Sequence, residues 1–193
     1  MGNDILRPEI WYKIIDSLNK NKLDYVLVGG AALVIHGIPR STLDIDIYII
    51  AKVETVNRLF QIADALELKS EQRAILVIAH SNKLITNQWV SFSYEGRDIL
   101  DVFLAEEREF KKIYKESKLE RDKDISIRVA SLKDIEMMKK ASGRSIDLAD
   151  LELIKEVKNI KRIRRKKKLR KIDILRGSFS FDTKILKNRH ITR

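Results

Sequence analysis

Cysteine is absent from the 193-residue chain. That gap excludes disulfides, thiolate metal sites and cysteine nucleophiles, and it suits a reducing compartment, so cytoplasm is the expected location. Long hydrophobic runs are missing too: none reaches ten residues, against the roughly 20 needed for a membrane-spanning helix, and no membrane partner is expected. The opening residues, with Asn3, Asp4, Arg7, Pro8 and Glu9, are not a basic region followed by an apolar core, so no export signal is expected. Histidine is scarce. His36 beside Gly37 reads as a helix cap or a packed side chain, His80 and His190 have no evident partners, and no histidine metal site is expected.

Acidic residues are absent from one stretch in particular. The formal net charge is +11, and between Lys158 and Lys171 nothing acidic interrupts Lys158, Lys161, Arg162, Arg164, Arg165, Lys166, Lys167, Lys168, Arg170 and Lys171. Such density attracts a polyanion, with a solvated helix extension as the plain alternative.

What is present is periodic. Ile10, Trp11, Ile14, Ile15 and Leu18 mark one face of a helix, and Tyr25 to Val28 is a buried strand stopped by Gly29 and Gly30. A short helix over 31–36 follows, closed by Gly37. From Leu43 to Ile50 the chain alternates, so Asp44 and Asp46 share one strand face while Ile45 and Ile47 share the other. A helix is expected from Lys52 to Leu68, and two strands, Gln88–Tyr94 and Arg97–Leu104, meet at a Glu95-Gly96 hairpin turn. Trp11 and Trp89 both read as core. Beyond Glu106 the pattern turns polar and helical, apart from Ile125–Val129, a last strand or an extended connector. Ser131 to Asp134 resembles a capping box with Asp in place of Glu before one helix, and Leu151, Ile154, Val157 and Ile160 line the inner face of the next. The expected division is a catalytic domain over 1–105, a helical region with its basic extension over 106–175, and a tail over 176–193.

Two carboxylates at i and i+2 of a strand repel unless a cation lies between them, and hard oxygen donors favour magnesium or manganese. The glycine pair at a strand-to-helix turn lets backbone N–H groups approach a phosphate. Asp101 is a polar residue in an apolar strand, on the face opposite Leu100, Val102 and Leu104, with Asp98 as its competitor. If its strand lies beside that of Asp44, it completes a carboxylate triad for two metals and can serve as general base.

Gly29-Gly30, a 13-residue gap and Asp44-Ile-Asp46 resemble the nucleotidyltransferase signature. The Gly-Gly-x-Ala-Leu, His36-Gly37, Arg40-x-Thr42 and Asp-Ile-Asp elements resemble its AbiEii-type branch, whose members include toxins of toxin–antitoxin pairs. Lys139, Arg144 and Asp147 resemble that branch's third motif and Asp150-Leu151-x-x-Ile154 its fourth. Gly30 stands where many relatives carry Ser, and Ile146 where a basic residue often precedes the aspartate. The resemblance implies an α/β (α+β) fold with a mixed central sheet flanked by helices and a helical C-terminal region. It also implies magnesium-dependent transfer of a nucleoside monophosphate from a nucleoside triphosphate. By motif position, Asp44, Asp46 and Asp101 are the metal and catalytic residues, and Gly29, Gly30, Arg40, Thr42, Lys139, Arg144 and Asp147 the nucleotide-binding residues. Together with the basic block, it suggests a transfer RNA 3′ end as acceptor and an antitoxin protein as partner. A small molecule or a protein tyrosine remains open as acceptor, and a non-catalytic RNA-binding module as the role.

Overall fold

The computed structural model describes residues 9–81, 85–122 and 124–165. It divides into a compact unit over Met1–Leu148 and a second over Ala149–Arg193. In chain order the elements are α1 (Glu9–Lys20), β1 (Val26–Val28), α2 (Gly29–Ile35), β2 (Ile45–Ile50), α3 (Val53–Ala65), α4 (Ala74–His80), β3 (Gln88–Tyr94), β4 (Arg97–Ala105), α5 (Glu107–Glu116), β5 (Lys118–Asp122), β6 (Ile125–Val129) and α6 (Leu132–Ser142). Among the described residues a further helix, α7, occupies residues 145–165.

The apolar stripes form as their spacing predicts, with Ile10, Trp11, Ile14, Ile15 and Leu18 of α1 all buried. In α3 the buried set is Val56, Leu59, Phe60, Ile62 and Ala63. The Glu95-Gly96 turn has both residues at positive φ, 49° and 77°, the twist a two-residue hairpin needs. Ser131 caps α6 by accepting the Asp134 backbone N–H at 3.2 Å, and Gly143 ends that helix at φ 64°.

Among the described residues, six strands make one mixed sheet in the order β3-β4-β2-β1-β6-β5. β2 runs antiparallel to β1 and parallel to β4, so three successive strands carry matched rows of side chains. One face holds the core: Ile47, Val102 and Val90 stand in one cross-strand row, and Ile45, Leu100 and Phe92 in the next. α3 covers this face, its Phe60 ring 5.2 Å from that of Phe92. The other face carries Asp46 and Tyr48 on β2, Asp101 and Phe103 on β4, and Ser91 and Trp89 on β3.

The sheet extends past residue 105: Ile125–Val129 forms its strand β6, paired in parallel with β1, and β5 lies beside β6, in a unit that runs to Leu148. Three expectations are corrected. β5 escapes a hydrophobicity reading because Lys118-Leu-Glu-Arg-Asp122 is almost entirely charged, as suits an exposed edge strand. Trp89 is 51% exposed rather than core, since β3 buries Val90 and Phe92 on the opposite face. On α7 the apolar stripe fades outward: Ile154 is buried, whereas Ile160 is half exposed where basic residues take over. Lys158, Lys161, Arg162, Arg164 and Arg165 are exposed, and the remainder of the basic block, with the tail over 176–193, lies outside the described residues.

Candidate active site

The polar face of β2 opens into a cleft of about 450 Å³, entirely within the first unit. Gly29, Gly30, Arg40, Asp44, Asp46, Asp101, Lys139, Arg144 and Asp147 all line it. α6 reaches the cleft because β6 lies beside β1 and delivers the chain to the Ser131 cap. From there Ile135, Met138, Lys139 and Ser142 recur along one helical face toward the carboxylates.

Asp46 and Asp101 are direct partners in the parallel β2–β4 pair. Burial first, then the charges of Asp44 and Asp101, push the Asp46 carboxyl up to about 6. Burial raises Asp101 as well, and Asp44 and Asp98 add to this, while a Ser91 hydrogen bond and the Arg144 charge oppose it. Asp98 itself is exposed and outside the cleft lining. Among the described residues no three carboxylate or imidazole side chains are gathered closely enough to cage a cation unaided. The donor set nonetheless fits magnesium or manganese, which commonly take one or two carboxylates and complete their shell with substrate phosphates and water. Mutual repulsion at Asp46 is the imbalance such a cation relieves.

The glycine turn works differently from a simple phosphate cradle. Gly29, at φ 62°, presses its Cα against the Asp46 carboxylate, so that a Cβ there would stand 1.8 Å from Asp46 Oδ2. The Gly30 backbone N–H donates to Asp46, directing one expected phosphate donor to a carboxylate instead. A Cβ on Gly30 would stand 2.0 Å from Arg40 Nη1 and 2.7 Å from Thr42 Oγ1. Gly30 therefore makes room for the Arg40 guanidinium within the cleft. Thr42 is not part of the cleft lining; its hydroxyl donates to Asp44 Oδ1 at 3.0 Å and orients that carboxylate.

Asp147 is a bracket. Its carboxylate, 1% exposed, accepts from Lys139 Nζ at 2.9 Å and from Arg144 Nε at 2.7 Å. Burial alone would raise its pKa, but hydrogen bonds from Arg144, Lys139 and Ser142 outweigh it and hold the group well below the usual carboxylate range. Both cations are thereby fixed at the cleft wall, opposite in sign to a triphosphate. His36 donates from Nε2 to the Ala130 carbonyl at 2.8 Å, the capping and packing role its position suggests. Ser91, Tyr48, Phe103 and Ser142 were not singled out by motif. Strand parity carries the first three, each on the carboxylate face, and the helical repeat of α6 carries the fourth.

Similar folds are known. The solved lincosamide antibiotic adenylyltransferase LnuA, lincomycin-bound, is 17% identical with a TM-score of 0.55, covering 79% of this chain and 98% of that one. The antibiotic-resistance factor ANT(2'')-Ia is 15% identical with a TM-score of 0.53, covering 94% and 95%. A provisionally assigned nucleotidyltransferase from Thermotoga maritima is 17% identical with a TM-score of 0.51, covering 78% and 91%. At these identities the likeness is one of fold. No curated protein matches the sequence. Residues 12–169, most of the chain, match a family described as a nucleotidyltransferase of unknown function (DUF6036), and the chain belongs to that family.

Proposed function

We propose that this protein transfers a nucleoside monophosphate from a nucleoside triphosphate to an acceptor hydroxyl, with an RNA 3′ end as the acceptor. The observation that carries this reading is the in-register pair Asp46 and Asp101, with Asp44 alongside, facing a wall of fixed cations in one cleft. Asp44 and Asp46 would hold magnesium or manganese together with phosphate oxygens. When bound, the cation neutralises charge on the triphosphate and on the departing pyrophosphate. Arg40, Lys139 and Arg144 bind the phosphates and orient the α-phosphorus. Asp101, beside the pair, takes the proton of the acceptor hydroxyl as its oxygen bonds to the α-phosphorus. The bond from that phosphorus to the bridging oxygen breaks, and pyrophosphate leaves with the electron pair.

An RNA acceptor is supported by the basic block from Lys158 to Lys171, since Lys and Arg contacts to phosphate provide affinity without sequence preference. Likeness to the AbiEii-type branch supports the same acceptor and a cognate antitoxin protein as partner. The fold shared with LnuA and ANT(2'')-Ia supports a small-molecule hydroxyl as the second reading. The retained carboxylates weigh against a binding-only role.

The test is incubation with magnesium, total RNA and each triphosphate labelled at either the α or the γ phosphate, comparing wild type with Asp44→Ala/Asp46→Ala. Label from the α position alone should enter RNA, only with metal and only in wild type. RNA labelled equally by both proteins defeats the assignment of these carboxylates.

A further inference from the structure

Beside the carboxylate row lies an aromatic one. Tyr48 on β2 pairs with Phe103 on β4, and Phe103 pairs with Trp89 on β3, so the three share one cross-strand row on the cleft face. The Tyr48 and Phe103 rings stack at 5.5 Å between centroids and 26° between planes, and both line the cleft. Trp89 extends the row toward the sheet edge, 51% exposed. A lone exposed tryptophan would mean little. This one continues a row displaced from Asp46, Asp101 and Ser91 by two residues, about 6.6 Å along the strands, the scale on which a nucleoside separates its base from its ribose hydroxyls.

We propose that Trp89 and Phe103 form a shelf on which the terminal nucleobase of a single-stranded RNA acceptor stacks, presenting its ribose hydroxyl to Asp101. This rests on the transferase reading of the cleft. Direction across the sheet assigns the shelf to the acceptor rather than to the donor nucleotide. The glycine turn leaves β1, whereas Trp89 stands on β3, three strand spacings or roughly 14 Å away. Asp101, the base for the acceptor hydroxyl, belongs to the strand between that of Trp89 and that of Asp46. An acceptor entering from that side meets Trp89 first, then Phe103, then Asp101. Stacking on an aromatic ring suits any nucleobase, in keeping with sequence-independent affinity from the basic block.

The test uses the full chain and three probes: a short single-stranded oligoadenylate, the same oligomer ending in an abasic sugar, and ATP alone. Trp11 is buried in α1, so quenching of tryptophan emission reports on Trp89 and is read even without turnover. The oligoadenylate should quench emission and bind roughly tenfold tighter than its abasic counterpart. Trp89→Ala should raise the KM for the oligomer about tenfold without a matching change in the KM for triphosphate, and Trp89→Phe should restore the wild-type value. Equal binding of the two oligomers overturns the shelf. So does a Trp89→Ala defect confined to the triphosphate, which would assign the ring to the donor base, or preferred labelling of a peptide or an antibiotic. Transfer that persists in Asp46→Asn contradicts the transferase reading of the cleft, whereas Asp46-dependent transfer indifferent to the terminal base overturns the shelf alone.

Discussion

Asp46 of β2 and Asp101 of β4 stand directly across from one another in a parallel strand pair, both on the face that opens into the cleft. Parallel strands with one shared register bring together residues far apart in sequence without any motif linking them. Burial first, then the charges of Asp44 and Asp101, place electrostatic tension on Asp46.

That tension makes a pH-dependent prediction. The folded-state carboxyl of Asp46, raised to about 6, lies above its unfolded value near 3.9. The folded state therefore keeps its proton longer, and ionisation removes stability progressively as pH rises between roughly 4 and 6. Above this window the metal-free wild type should melt below Asp46→Asn, and below pH ~4 the two should converge. Magnesium should raise the wild-type Tm at pH 7 and leave that of Asp46→Asn almost unmoved. Melting curves across pH, with and without metal, check both.

Gly30 and Arg40 should behave as a coupled pair. Gly30→Ala places a methyl 2.0 Å from Arg40 Nη1, displacing the guanidinium and raising the KM for triphosphate. Arg40→Ala should do the same, and the double variant should be little worse than either single one, a non-additivity of about 1 kcal/mol or more. Gly29→Ala should be harsher, because it adds strain at φ 62° to collision with Asp46. Steady-state kinetics and thermal melting separate the two positions.

Asp147→Asn should destabilise the fold by about 3 kcal/mol at pH 7, because it removes a buried charged partner of the Lys139 ammonium and of Arg144. The wild-type carboxyl is depressed, so its contribution is complete above the unfolded value near 3.9 and is lost as pH falls through the lower folded one. The gap between variant and wild type should therefore narrow below pH ~4. Denaturant unfolding at pH 7 and pH 3 reads the difference.

The basic block predicts a salt signature. Binding of single-stranded RNA should weaken linearly in log–log form with a slope of about −0.7 per phosphate contact. Deleting residues 158–171 should flatten that slope. An unchanged slope would remove the block from the acceptor site.

Legibility in the sequence followed physical contrast. The strand from Leu43, its alternation broken into polar and apolar faces by Asp44 and Asp46, and the glycines before α2 carry strong local patterns, and the structure forms them nearly where expected. The α2 helix begins at Gly29 itself, since Gly29 and Gly30 are drawn into the first turn against Asp46. The α4 helix is not legible: Ala74-Ile-Leu-Val-Ile-Ala-His80 has no polar face to mark a period, and it leaves Val77 and Ile78 exposed. β5 shows the reverse problem, an edge strand whose charged side chains conceal its pairing. Thr42 and Asp147 were legible as site residues by motif, yet the structure has them orienting Asp44, Lys139 and Arg144, a distinction made only by three-dimensional contacts. Trp89 was readable by parity, which opposes it to Val90 and Phe92; its apolar surroundings misled.

Pyrophosphate yield tests the central claim most directly. The full chain, incubated with magnesium, nucleoside triphosphates and RNA, should release one pyrophosphate per nucleotide joined to the acceptor, with the reaction reduced at least a hundredfold in Asp101→Asn and in Asp46→Asn. Release of orthophosphate in place of pyrophosphate, or equal yields from wild type and both variants, would contradict it.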